Sequence, residues 1–243
     1  MGERRTLDRY LSRSGVGSRA QAQAWIAAGR VRVDGRVQRD PEAWIDPRQA
    51  RVTLDGVPVK PLAPLHLLLH KPVGYVTTRS DPEGRRTVYD LLGEQPRWVA
   101  PVGRLDRDTS GLLLFTNDSD LADRVTDPRE HLPKTYVVGT RAALDEAQLD
   151  CLRAGVELAD GPTRPAEVRR LPARDGRERI ELVLREGRNR QVRRMLEAVG
   201  SRVATLERTA IGPLTLGGLA SGAWRALART ELARLVRALP PDA

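Results

Sequence analysis

The sequence predicts an α+β protein: a small helix–helix–strand module at the N-terminus, then a larger domain built on a mixed β-sheet with flanking helices. Three observations predict it. Two apolar patterns of helical period open the chain before any strand-like run. Alternating or continuous apolar runs dominate the remainder. Helical patterns fall between those runs too irregularly for a repeating strand–helix–strand unit, which argues against a doubly wound parallel sheet.

Each element has its own signal. Leu7, Tyr10 and Leu11 share one helical face, and Gly15 and Gly17 end that helix. Ser18 is a good N-cap for a second helix with Ala22, Trp25 and Ile26 on its apolar face and Gly29 as its stop. The alternating runs Val31–Val33 and Val52–Leu54 are each followed by an Asp-Gly turn, at Asp34-Gly35 and Asp55-Gly56. Lys60-Pro61-Leu62-Ala63-Pro64 reads as a stiff linker. The predicted division is a module over 1–60, a linker over 61–64 and a second domain over 65–243. In that domain strands are predicted at Leu65–His70, Trp98–Val102, Leu112–Thr116, Thr135–Gly139 and Ile180–Leu184. Helices are predicted at Val88–Leu92, Leu121–Val125, Leu144–Leu152 and Gln191–Val199.

Composition narrows the function classes. The 243 residues carry 41 Lys+Arg against 32 Asp+Glu, a formal net charge of +9. Every basic residue except Lys60, Lys71 and Lys134 is arginine, whose planar fork of donors matches phosphate and stacks on bases. Residues 1–60 hold 12 basic and 7 acidic side chains, so the smaller part carries over half of the excess, as a nucleic-acid-binding appendage would. With 40% hydrophobic and 30% charged residues the chain is not a disordered one. No apolar run approaches the length of a membrane span, and the charged start MGERRTLDRY has no apolar run behind it. A protein of a reducing compartment, the cytoplasm, is expected from the single cysteine, Cys151, which also rules out an internal disulfide and a cysteine-based zinc site.

Several chemistries lack their residues. There is no phosphate-binding Gly-x-x-x-x-Gly-Lys-Ser/Thr loop, no Gly-x-Ser-x-Gly elbow, and Gly217 to Gly222 has the wrong spacing for a dinucleotide. His66, His70 and His131 form no metal-ligand pattern; the first two are four apart in a strand-like run, where that spacing does not converge. No metal and no cofactor is expected, and any catalysis must use carboxylates and arginines.

Three segments carry such chemistry. Gly103-Arg104-Leu105-Asp106-Arg107-Asp108-Thr109-Ser110-Gly111 is a polar loop between apolar strands. Asp106, at the mouth of the buried run Leu112–Phe115, is expected to be partly desolvated and to need a cation; the loop reads as an ordinary charged turn or as a functional one. Glu186 to Met195 opens a helix capped near Asn189. Val192, Met195, Leu196 and Val199 face the core, while Arg190, Arg193 and Arg194 share the opposite side, where Glu197 is the one acid at hand. Those arginines form either a solvated face or a site for phosphate or carboxylate. In Lys134-Thr135-Tyr136 the tyrosine is a core residue or a platform on which a base stacks.

Taken together these segments resemble the pseudouridine synthases that modify ribosomal RNA. The matches run in order through His70-Lys71-Pro72-Val73-Gly74, Ser80-Asp81-Pro82, Gly103 to Thr116, Lys134-Thr135-Tyr136, Glu186 to Met195 and Gly222-Ala223-Trp224-Arg225. The fifth segment is more like that of the B-type enzymes acting on large-subunit RNA than that of the small-subunit type. The first sixty residues resemble the RNA-binding module named after the fourth small-subunit ribosomal protein, at Gly15 to Arg19 and Gly29 to Gly35. That module's second helix usually starts with two arginines and carries a glutamate; here Ala20 follows Arg19 and Gln23 holds the acidic position, which puts the module's usual RNA contacts in question.

The resemblance implies a mainly antiparallel catalytic sheet and isomerisation of uridine to pseudouridine in ribosomal RNA, with the large subunit favoured, by a monomer without cofactor. It makes Asp106 the catalytic carboxylate, which attacks C1′, adds to C6 or removes a proton from C2′ of an everted nucleotide. Arg193 is expected to pair with Asp106, Tyr136 to stack on the uracil, and Arg104 to fill the vacated gap. Arg19, Arg30, Arg32, Arg188, Arg190 and Arg194 are the expected RNA contacts, and Asp108 is given no catalytic role. Two competing readings are a non-catalytic RNA-binding protein and an RNA methyltransferase; the first should have lost one of Asp106, Tyr136 and Arg193, and the second needs a glycine-rich loop that Leu65–Gly74 does not offer.

Overall fold

A computed structural model describes residues 4–60, 62–93, 98–127, 129 and 132–240. In chain order the elements are β1 (Arg5–Thr6), α1 (Leu7–Arg13), α2 (Arg19–Ala27), β2 (Val31–Val33), β3 (Arg36–Val37), β4 (Trp44–Ile45), β5 (Val52–Leu54), β6 (Val57–Pro58), β7 (His66–Lys71), α3 (Val88–Leu92), β8 (Ala100–Pro101), β9 (Ser110–Thr116) and α4 (Ser119–Thr126). They continue with β10 (Lys134–Thr140), α5 (Glu146–Ala154), β11 (Glu157–Leu158), β12 (Gly161–Pro162), β13 (Glu167–Arg174), β14 (Arg177–Leu184), α6 (Gln191–Ala198), β15 (Val203–Ile211), β16 (Leu214–Thr215), β17 (Trp224–Ala226) and α7 (Arg229–Ala238).

The described residues form two compact units. One takes in the chain up to Leu67 with the described parts of Glu94–Val102 and Phe115–Asp123; the other takes in Leu68–Gly93, Gly103–Leu114 and the chain from Arg124. In the first unit α2 begins on a capping box: Ser18 Oγ accepts from the Gln21 amide and Gln21 Oε1 accepts from the Ser18 amide. The helices pack Leu7, Leu11, Ala22 and Ile26 against Val31 and Val52 of a small sheet ordered β3-β2-β5-β6. Buried Asp8 lies between the helices and accepts from Thr6 Oγ1, Arg19 Nε and Gln23 Nε2. Burial pushes that carboxyl up, but the three donors outweigh it and hold it below its ordinary value. Gln23 thus takes up a structural hydrogen bond at the position where an acid was expected. Arg13 joins Asp118 at 3.1 Å and Asp120 at 2.6 Å, and Arg9 joins Asp123 at 3.0 Å.

The main sheet is ordered β13-β14-β10-β15-β9-β7-β17, with β16 beside β15 and β8 beside β9. β14 pairs antiparallel with β13 and β10, and β10 pairs antiparallel with β15; β15 and β9 are parallel. The sheet is mixed and mainly antiparallel, as expected. One apolar cluster joins Val138, Ile180 and Leu182 to Val192, Met195 and Leu196 of α6.

Several elements differ from their predicted form. The strand at Trp98–Val102 is only Ala100–Pro101. The helix expected from Leu144 starts at Glu146, because Asp145 caps it by accepting from the Gln148 amide. Asn189 is not the cap of α6: that position is Arg190, in left-handed conformation at φ 48° without a side-chain cap bond. β13, β15 and α7 were not anticipated. His66 and His70 do lie on β7, each hydrogen-bonded to protein oxygens, while His131 and Pro61 lie outside the described residues.

Candidate active site

The loop Gly103–Ser110 is fixed chiefly through its backbone. Lys71, at the end of β7, is fully buried, and its Nζ donates to the carbonyls of Asp106 at 2.9 Å, Thr109 at 2.8 Å and Pro72 at 3.1 Å. A fourth carbonyl, that of Arg107, lies farther off at 3.5 Å, so the three nearest carbonyls match the three protons of an ammonium. Burial lowers the Lys71 ammonium to about 8; the charges of Asp108 and Asp106 oppose that fall, and Arg208 adds to it. Gly74 N donates to the Arg107 carbonyl at 2.7 Å. Thr77 Oγ1 donates to the Leu105 carbonyl at 2.7 Å and accepts from the Leu105 amide at 3.2 Å. Both backbone groups of the residue before Asp106 are therefore held by one hydroxyl.

β9 leaves this loop through Gly111, at φ 115°, and a Cβ there would lie 2.2 Å from the Arg208 carbonyl oxygen. Only glycine permits that approach of β9 to β15. Arg208 is itself buried and donates from Nε to the Leu112 carbonyl at 2.9 Å. Arg208 is the register partner of both Gly111 and Tyr136, so Tyr136 lies in the same row of the sheet, two strands from β9. The Tyr136 side chain is partly buried and packs on the cluster that holds the inner face of α6.

The outer face of α6 meets the loop. Arg190 Nη1 lies 3.8 Å from Asp106 Oδ2 and 3.3 Å from Asp108 Oδ1. Arg193 Nη2 lies 3.1 Å from Asp108 Oδ2 and donates to the Asp108 carbonyl at 2.9 Å. Burial pushes the Asp108 carboxyl up, and Arg190 and Arg193 more than offset it, holding it below its ordinary range. The expected pair of Arg193 with Asp106 is thus replaced: Arg193 holds Asp108, and Arg190 is the cation facing Asp106. Asp106 is partly buried, with 29% of its side chain exposed. The acids opposite Arg190, Arg193 and Arg194 come from distant segments rather than from Glu197, since Arg194 joins Asp160 at 2.7 Å; Arg188 lies 3.3 Å from Glu186 and 3.6 Å from Asp160. Helical spacing alone does not reveal such partners.

The remaining expected residues are spread out. Arg104 is exposed and has no partner among the described residues. In the first unit Arg19 is committed to Asp8, Arg30 pairs with Asp55 and lies 5.8 Å over the Trp25 ring, and exposed Arg32 donates to the Gly35 carbonyl. Lys71, Thr77 and Arg208 were missed. Lys71 had a signal: a lysine at the end of an apolar strand, in a chain that otherwise uses arginine. No group of three or more His, Cys, Asp or Glu that could hold a metal ion exists among the described residues.

Residues 65–198 match the RNA pseudouridylate synthase family, over half of the chain, and residues 5–43 match the S4 domain. The chain belongs to the RNA pseudouridine synthase family. Family members are isomerases, and the S4 domain supplies RNA binding. Among its relatives, an uncharacterised RNA pseudouridine synthase of Aquifex aeolicus is 40% identical over 96% of this chain and 94% of its own length. The ribosomal large subunit pseudouridine synthase B of Bacillus subtilis is 37% identical over 94% of each chain. Its namesake from Shigella flexneri is 39% identical over 97% of this chain and 84% of its own. A crystal structure described as a pseudouridylate synthase superposes with a TM-score of 0.68 at 28% identity, covering 95% of this chain and 99% of that one. The resemblance to the family read in the sequence is borne out, and the methyltransferase reading is set aside.

Proposed function

We propose that this pseudouridine synthase isomerises one uridine of large-subunit ribosomal RNA, with Asp106 as the catalytic carboxylate acting on a nucleotide turned out of its stack. The observation that carries the reading is the partly exposed Asp106 carboxylate, on a backbone held by Lys71 and Thr77 and faced by Arg190. A fixed backbone narrows the range over which that carboxylate meets a substrate, which is what proximity catalysis requires. The N1–C1′ bond breaks, the uracil rotates without leaving, and C5 joins C1′. Attack at C1′, addition at C6 and proton removal at C2′ all demand the same carboxylate beside the sugar. The relatives named as large-subunit enzymes of type B favour the large subunit.

In this reading Tyr136 stacks on the everted uracil, and Arg104, exposed and unpaired, fills the gap left in the RNA. Arg193 serves substrate binding as a positioning residue, through Asp108. Arg188, Arg190 and Arg194, with Arg19, Arg30 and Arg32 of the module, contact RNA. The module spans 1–60, the linker 61–64 and the catalytic domain 65–243. The enzyme works as a monomer in the cytoplasm, without cofactor. No described helix is long and apolar enough to cross a membrane.

The test is Asp106→Asn. Pseudouridine should vanish from the rRNA, while RNA affinity stays close to wild type because the side chain keeps its shape. Product formed by the variant at a rate near wild type would sink the assignment.

A further inference from the structure

The segment after Thr77 contains the Ser80-Asp81-Pro82 motif, which the chemistry above leaves unused. Asp81 closes a turn. Its side chain is only 5% exposed and accepts from the Arg85 amide at 2.9 Å, Arg85 Nε at 3.0 Å and Arg85 Nη2 at 2.7 Å. Its carbonyl accepts from the Gly84 amide. Hydrogen bonds from Arg85 hold the Asp81 carboxyl at about 2, well below the ordinary carboxylate range. Arg79 lies 5.8 Å over the Tyr89 ring.

Beyond the turn the chain returns beside the catalytic loop. Val76 N donates to the Arg86 carbonyl at 2.9 Å, and Val76 bridges Thr87. Thr87 therefore lies across from Val76, and Arg86, the residue before it, is tied to Val76 by its carbonyl. The next residue, Thr77, grips Leu105, and Leu105 stands between Arg104 and Asp106. Arg86 is exposed, and unlike Arg85 it has no carboxylate partner among the described residues.

We propose that Arg86 is a phosphate contact for the RNA strand carrying the target uridine, presented beside the Asp106 loop by the turn that Asp81 closes. This rests on the reading that the chain acts on a uridine in RNA. The chemistry follows from what surrounds Arg86. Its neighbour Arg85 is spent on Asp81 and Glu83, so Arg86 is the fork left open to an anion. Such contacts fix the register of a strand without reading its bases. Two hydrogen-bonded steps, Arg86 to Val76 and Thr77 to Leu105, tie that register to the Asp106 loop.

The experiment uses the full chain and protein-free large-subunit rRNA, and follows affinity against salt together with initial rates of pseudouridine formation. Arg86→Ala should lower the slope of log affinity against log salt by about 1. Its half-saturating RNA concentration should rise several-fold more than kcat falls. Arg86→Lys should restore most of the affinity, because a point charge also meets phosphate. Asp81→Asn should shift half-saturation in the same direction by loosening the turn. Wild-type slope and half-saturation in both Arg86→Ala and Arg86→Glu would overturn the proposal alone. Absence of pseudouridine with the wild-type protein on any rRNA would overturn the functional reading, and the proposal with it.

Discussion

The Lys71 ammonium lies 2.9 Å from the carbonyl oxygen of Asp106, and it forms no ion pair with the carboxylate of that residue. The cation fixes the backbone under the acid, and the guanidinium that faces the carboxylate is that of Arg190. Truncation of Lys71 should therefore release the backbone that carries Asp106.

Lys71→Met keeps the stem and removes the three donors. The carbonyls that Lys71 holds, the buried one of Thr109 among them, then lose this donor, each costing about 1–3 kcal/mol if water cannot reach it. A lower Tm is expected, with kcat down by about 100-fold and RNA affinity retained. Steady-state kinetics beside an unfolding curve checks both; unchanged kcat would remove Lys71 from the support of the site.

The same lysine predicts a pH dependence. Its folded-state value is about 8, below the ordinary 10.5. Above pH 8 the amine keeps two protons for three carbonyls, so activity should fall with a midpoint near 8. Stability should move the other way. Between pH 8 and 10.5 the unfolded chain binds more protons than the folded one at this site, and the lysine's contribution to stability rises with pH. Activity that stays flat from pH 7 to 9.5 would contradict this.

Arg193→Lys should be poorly tolerated. The guanidinium reaches both the carboxylate and the carbonyl of Asp108, which a single ammonium cannot do in the same geometry. A fall in kcat of about 10-fold or more is expected, with RNA affinity less affected. Single-turnover rates at saturating RNA decide it, and wild-type turnover would free Arg193 from the site.

Gly111→Ala should damage the fold more than the chemistry of any side chain. The new Cβ meets the Arg208 backbone, and the residue is held at φ 115°. A loss of about 3 kcal/mol or more is expected from strain and the forced shift of β9. Denaturant unfolding measures it; a loss under about 1 kcal/mol would show that the two strands separate at little cost.

Deleting residues 1–60 should weaken RNA capture and its salt dependence more than the single-turnover rate. The deletion also strips Arg9 and Arg13 from Asp118, Asp120 and Asp123, so a fall in Tm is expected alongside. Arg32→Ala with Arg36→Ala, two exposed sites, separates capture from stability. An equal loss of single-turnover rate in this pair would contradict the division of labour.

Elements with local signals were legible in the sequence. Ser18 announced α2, and Val88–Leu92 was a helix at both predicted ends. The polar loop at Asp106 and the arginine face of α6 were visible because spacing reports them. Long-range partners were not. Asp108 and Asp160 meet the arginines from 82 and 34 residues away, and no helical wheel displays such acids. β15 was missed because its apolar alternation is broken by Glu207 and Arg208, the latter buried for a carbonyl on another strand. Lys71 escaped for the same reason: its partners are backbone oxygens, which have no letter in the sequence.

Asp160 sits against Arg188 and Arg194. A phosphate reaching these side chains exchanges one anion for another and does not neutralise bare cations. Each such contact then yields less affinity than the number of guanidinium groups suggests. In the function proposed above, release of the RNA then need not wait on a surplus of unbalanced charge.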